Sequence, residues 1–107
     1  MKKNELICPI EHSVKLLGGK WKLTIIHVLV VNDVVRFKEL ERMIIGITPK
    51  MLSMQLKSLE ADGLVERKVY ATVPPTVEYK LTKVGKSIKP MMNELEKWGL
   101  YHQNLKK

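Results

Sequence analysis

Residues 47–63, ITPKMLSMQLKSLEADG, encode a short helix together with the signals for both of its ends. Thr48 is placed to cap the first turn by accepting a backbone N–H, and Pro49 follows at the first helical position, where its missing N–H is no loss. Leu52, Leu56 and Leu59 recur at four- and three-residue spacing and so share one face, while Asp62 and Gly63 supply the left-handed turn that stops the helix. Lys50, Ser53, Met54, Lys57 and Ser58 fall on the opposite face. Taken alone this is the pattern of any solubilised surface helix. Its neighbours narrow the reading.

Just upstream, a helix is expected from Arg36 or Phe37 to about Ile44, with Phe37, Leu40 and Ile44 inward and Lys38, Glu39, Glu41 and Arg42 outward. Ile45, Gly46 and Ile47 separate the two helices, which is the spacing of a helix-turn-helix or of an ordinary helical hairpin. Gly46 suits a tight turn that needs positive φ. Downstream, residues 77–81 alternate cleanly, with Val77, Tyr79 and Leu81 on one side, and residues 64–70 alternate more roughly. Pro74 and Pro75 cannot donate to a ladder, so residues 71–76 form the stiff tip of a two-stranded hairpin. Helix-turn-helix followed by hairpin is the element order of a winged helix.

The flanks are helical. After a polar lead-in over residues 1–6, Pro9 opens a helix on which Ile10, Val14 and Leu17 share a face and which Gly18 and Gly19 close. A second helix begins at Lys20, carries Trp21, Ile25, Ile26 and Leu29 at helical spacing, and ends near Val31 before an Asn32-Asp33 turn. Val34 and Val35 have the character of a very short strand, too brief to stand without a partner edge. Thr82 caps a last helix that runs toward Asn104, kinked at Pro90. Along it Val84, Ile88, Met91, Leu95, Trp98 and Leu105 form an apolar stripe, widened by Met92 and Tyr101. Two arrangements cover that stripe: a second subunit, or the helix folding back onto Trp21 and Leu29.

Length and charge bound the function. A chain of 107 residues is one domain and buries roughly 60–68% of its unfolded surface, enough for a single core. The longest apolar run, residues 28–31, is far short of a membrane span, and no signal-peptide pattern follows Lys2 and Lys3, so a cytoplasmic location is expected. One cysteine, Cys8, cannot build a disulfide framework and suits a reducing compartment. The formal net charge of +8 favours a polyanionic partner, although Lys2, Lys3, Lys106 and Lys107 put part of the excess in the tails.

No constellation for catalysis, a metal or a cofactor is visible. His12, His27 and His102 have no shared-face spacing, and no second cysteine assists them. Gly18-Gly19-Lys20 lacks the upstream glycine, the preceding strand and the following hydroxyl of a phosphate loop. Cys8 leaves two alternatives open. At a helix start, orphan N–H groups and the dipole favour a reactive thiolate, whereas a lone cysteine is also a common small buried hydrophobe.

In a winged helix the capped helix enters the major groove. Ser53, Met54 and Gln55 would then meet the groove floor, where methionine can touch a thymine methyl and glutamine can pair with adenine, with Lys50 and Lys57 near the phosphate rails. Thr48 and the helix start can hold a phosphate, and Lys38, Arg42, Arg67 and Lys68 are further backbone contacts. Two subunits on half-sites of a pseudo-palindromic operator would make the attachment specific. The competing reading is a protein–protein interaction module without specific DNA binding, which would keep its affinity at high salt where DNA binding collapses.

The motifs CPIEHSVKLLGGKW (residues 8–21), RFKEL (36–40), GITPKMLSMQLKSLEADGLVER (46–67) and VPPTVEYKLTKVGKS (73–87) closely resemble the HxlR-type winged helix-turn-helix transcriptional regulators, relatives of the MarR type. The resemblance implies a mainly α fold with a small β-hairpin and extra N- and C-terminal dimerisation helices. It implies one domain over residues 1–107, with the helix-turn-helix at 36–62, the wing at 64–82 and the C-terminal helix at 83–104. Family members are dimeric bacterial DNA-binding regulators, mostly repressors. Carried onto this chain, that gives a homodimer built by Ile10, Val14, Ile88, Met91, Met92, Leu95 and Trp98, a wing around residues 73–76 with Thr76 on DNA, and a redox or electrophile sensor at Cys8. Two departures stand out: relatives usually carry arginine at Gln55 and often glutamine at Met54, and Thr76 occupies a position where a basic residue is frequent.

Overall fold

The structure, a computed structural model, describes residues 8–105. The expected lead-in over residues 1–6 and the terminal Lys106 and Lys107 lie outside the described residues. In chain order the elements are α1 (Pro9–Leu17), α2 (Lys22–Asn32), β1 (Val34–Arg36), α3 (Phe37–Met43), α4 (Pro49–Ala61), β2 (Val65–Tyr70), β3 (Thr76–Leu81), α5 (Lys83–Lys86) and α6 (Lys89–Asn104). This is a winged helix-turn-helix: α3 and α4 form the helical pair, and β2 and β3 form the wing.

The core sits where α2, α3 and α4 meet the sheet. Ile25, Ile26, Leu40, Leu52 and Leu59 are fully enclosed, with Leu29, Val35 and Leu56 all but so. Burying each such side chain contributes about 1.5–3 kcal/mol, so the leucine stripe of α4 alone anchors that helix firmly. Gly63 ends α4 with φ 75°, as the sequence requires.

The short strand expected at Val34 and Val35 finds its partner edge in the wing, which therefore has three strands. The sheet order is β1-β3-β2, all antiparallel, with Val35 opposite Tyr79 and Arg67 opposite Tyr79 on its other side. β1 is short because it needs only to cover the free edge of β3. Thr76 pairs with Tyr70, so the tip spans residues 71–75 and is one residue shorter than expected. The second helix starts at Lys22 rather than Lys20, since Gly19 (φ 95°) still belongs to the connection.

The expected single C-terminal helix over residues 83–104 is two helices. Thr82 does cap the first, its hydroxyl accepting the N–H of Gly85 at 3.0 Å. The chain then tightens: the N–H groups of Ser87 and Ile88 reach back only three residues, to Val84 and Gly85. A proline at position 90 cannot donate to the carbonyl of Lys86 and would crowd it, so the helix stops and restarts with Pro90 in a new first turn, where the missing N–H is harmless. Gly85 is required for a separate reason. A Cβ there would collide with the carbonyl of Leu64, which α5 approaches closely.

Candidate nucleic-acid interface

Helix α4 is built as its sequence dictates. Thr48 Oγ1 accepts the N–H of Met51 at 3.1 Å, and Pro49 occupies the first turn. With Leu52, Leu56 and Leu59 sealed in the core, Lys50, Met54 and Lys57 stand exposed on the far side. Met54 keeps 58% of its surface open to solvent. Ser53 and Gln55 are half-buried. Gln55 follows Met54 by about 100° around the helix, which sets it on the flank of the leucine stripe rather than at the middle of the outer face. The expected trio of groove-floor residues is therefore not coplanar: Met54 is central, with Ser53 and Gln55 to either side.

Arg36 caps the supporting helix α3, its backbone N–H donating to Glu39 Oε1 at 3.1 Å. Lys38 and Arg42 are exposed, as expected. Together with Arg36 they line an open groove whose other wall is the wing tip, contributed by Thr72, Pro74, Pro75 and Thr76. Arg36 is an addition to the basic residues read from the sequence. It is oriented by Glu78, 4.0 Å away, across the β1–β3 pairing, a contact between residues too distant in the chain for local pattern to reveal.

The wing separates two residues that the sequence reading grouped. Arg67 lies opposite Tyr79 in the register, on the face that packs toward the helices. Burial raises the Tyr79 phenol above its ordinary value, with Arg67 opposing the shift and Glu60 adding to it. Lys68 points to the other face, its ammonium 5.0 Å from the centre of the Tyr70 ring. Strand alternation forbids both side chains from serving one surface. At the tip, Thr72 Oγ1 donates to the carbonyl of Pro74 at 2.7 Å and sits 3.1 Å from Thr76 Oγ1, so Thr76 is engaged within the wing. The Val73–Pro74 peptide bond is cis, and Val73 is fully exposed.

The terminal helices carry the remaining expected residues. Ile10, Val14, Met91, Leu95 and Trp98 are exposed, and α6 has no buried residue. Folding back onto Trp21 and Leu29, one of the two arrangements left open, is thus not adopted. Trp98 instead stacks on His102, ring centres 5.3 Å apart. Ile88 and Met92 are half-buried, and Ile88 packs against its own core. Cys8 occupies the residue before α1 and is exposed, which excludes the buried-hydrophobe alternative. The N–H groups of Glu11, then Ile10, at the open helix end draw its thiol below the ordinary value.

No helix among the described residues is long and apolar enough to cross a membrane. Residues 16–107 match the model of the HxlR-like helix-turn-helix family. The chain is similar to the HTH-type transcriptional regulator BH0655 of Halalkalibacterium halodurans, at 51% identity over 95% of this chain and 90% of that one. It is also similar to the redox regulator HypR in its reduced form, with a TM-score of 0.86 and 39% identity over 92% of this chain and 96% of that one. The reduced form of the regulator YodB from B. subtilis superposes with a TM-score of 0.74 and 39% identity, covering 87% of this chain and 91% of its own. With a winged helix-turn-helix whose outer face is basic and whose sequence matches from the end of α1 onward, the chain belongs to the HxlR-like helix-turn-helix family of DNA-binding transcriptional regulators.

Proposed function

We propose that the protein is a cytoplasmic homodimer that represses transcription by holding a pseudo-palindromic operator, one α4 in each of two successive major grooves, and that Cys8 relays oxidants or electrophiles to that hold. The observation that carries this reading is the contrast between two apolar stripes. The stripe of α4 is sealed within the subunit, leaving a basic face outward, while the stripe of α6 has no cover of its own. Pairing through α6 and α1 buries the second stripe and sets two copies of the first face side by side, the arrangement that half-sites one helical turn apart demand.

Within each half-site the residues divide by role. Met54, with Ser53 and Gln55 on its flanks, meets base edges. Lys50, Lys57, Lys38 and Arg42 neutralise phosphates, and Thr48 at the start of α4 adds an N–H contact. The wing tip is uncharged, so Arg36 and Lys68 supply the basic contribution on that side. Cys8 is the chain's one cysteine. Oxidation to a disulfide therefore joins it to a second molecule's thiol, each losing a proton and an electron to an oxidant such as diamide. Alkylation by a quinone forms a carbon–sulfur bond on the thiolate.

A gel shift with the region upstream of the protein's own gene tests the reading. Lys57→Ala weakens binding to every duplex and lowers the salt slope by about 0.9 for each lost phosphate contact. Gln55→Ala changes the preferred sequence instead, with a penalty of about 1–3 kcal/mol at the base pair it reads. Unchanged operator binding in both variants removes α4 from the interface.

A further inference from the structure

We propose that Lys20 is an additional contact to the DNA backbone, and that Trp21 is the residue that positions it. The inference rests on α4 being the recognition helix and extends the interface beyond the helix-turn-helix and the wing. Its starting point is the stretch Gly18-Gly19-Lys20-Trp21, which is no phosphate loop and which the fold uses as the connection between α1 and α2.

Gly19 takes φ 95° and turns the chain so that Trp21 directs its ring toward the turn between α3 and α4. The outer edge of that ring, Cη2, lies 3.7 Å from the point a Cβ on Gly46 would occupy. Gly46 itself has φ 92°, and two residues later Thr48 caps α4. The indole is therefore packed against the threshold of the recognition helix. On the same indole rides the ammonium of Lys20, 4.8 Å from the ring centre, with the residue exposed.

A lysine held this way is neither free nor spent. The ring face restrains the long side chain, while an ammonium has three donors and keeps those not aimed at the ring for another acceptor. Its place matters as much as its chemistry. Lys50 lies in the first turn of α4 and Lys57 lies two turns further along, about 10 Å away at 1.5 Å per residue. Lys20 stands beside the Gly46 turn that leads into α4, through the indole it rides on. A duplex presents a phosphate charge every 1.7 Å or so of its axis, so a helix seated in the groove brings backbone to both of its ends. A contact of this kind carries no base information. It fixes the depth and direction in which α4 enters.

The test is the salt dependence of binding to the operator and to an unrelated duplex, with folding followed by circular dichroism. Lys20→Gln should lower the slope of log K against log salt by about 0.9 for each subunit engaged, and by the same amount on both duplexes. Lys20→Arg should restore it, since guanidinium also stacks on indole. Trp21→Leu keeps an apolar plug but removes the ring, and should reproduce the slope of Lys20→Gln in a folded protein. Lys97→Gln on α6 removes the same charge beside its partner Glu94 and should leave the slope alone. A wild-type slope in Lys20→Gln beside a reduced one in Lys57→Gln overturns the Lys20 contact and spares α4. Equal reductions in Lys20→Gln and Lys97→Gln overturn it in favour of net charge. Wild-type slopes in both Lys20→Gln and Lys57→Gln remove α4 from the interface, and Lys20 with it.

Discussion

Helices α4 and α6 are near twins on paper and opposites in space. Each begins with proline in its first turn, and each carries large apolar residues at three- and four-residue spacing. Yet Leu52, Leu56 and Leu59 are at most 1% exposed, whereas Trp98 and Tyr101 each keep more than 60% of their surface in solvent. Periodicity says only that a helix has an apolar face. What that face meets depends on which neighbours the chain can bring to it, and α4 is enclosed by α2 and the sheet while α6 extends from the end of the domain. A face left open adds nothing to the core of its own subunit.

The comparison is broken most severely at Leu56. Leu56→Ala removes a side chain enclosed on all sides and should cost about 2–5 kcal/mol in denaturant unfolding at fixed protein concentration. If the loss is below about 1 kcal/mol, α4 is not anchored as its burial implies and cannot present a fixed basic face. Trp98→Ala sharpens the other half. With no core to disrupt, it should leave the subunit folded yet weaken self-association by about 2 kcal/mol, roughly 30-fold in dimer dissociation constant, as read by sedimentation. A Trp98→Ala protein that unfolds like Leu56→Ala would instead place that ring inside its own subunit.

What could be read without coordinates follows from the same contrast. The caps and stops of α4 were legible because Thr48, Pro49 and Gly63 act on their immediate neighbours, and the strands of the wing were legible because alternation and the two prolines are equally local. The third strand became real only through β3, which lies more than forty residues beyond it. Proline inside a periodic stretch interrupts a helix, which predicts a kink at Pro90. The periodicity concealed that the chain could stop at Lys86 and restart, placing the ring where it does no harm. Arg67 and Lys68 looked like one basic patch, and only the strand register shows that they face apart. The contact between Trp21 and Gly46 is of the same long-range kind, since no spacing rule links a residue at the mouth of α2 to a turn beyond α3.

The smallest effect expected concerns Cys8, and it asks whether α1 depends on the partner that α6 is proposed to recruit. The N–H groups of Glu11 and Ile10 favour the thiolate, so its native pKa lies below the ordinary 9.0. A group lowered by folding stabilises the fold above its unfolded pKa, and that contribution fades as pH falls through the native value. The window runs from the unfolded thiol's pKa down to the lowered native value, and stability should rise with pH inside it. The thiol is fully exposed, so the more sensitive readout is chemical: the rate of alkylation by iodoacetamide should inflect at lower pH in the native protein than in urea. The donors belong to the same helix as the cysteine, so a monomeric Trp98→Ala protein should keep the lowered inflection. A return to the value found in urea would mean that α1 is held helical only by the second subunit. The first helix would then join α6 as a structure completed by assembly, in contrast to α4, which is complete within one chain.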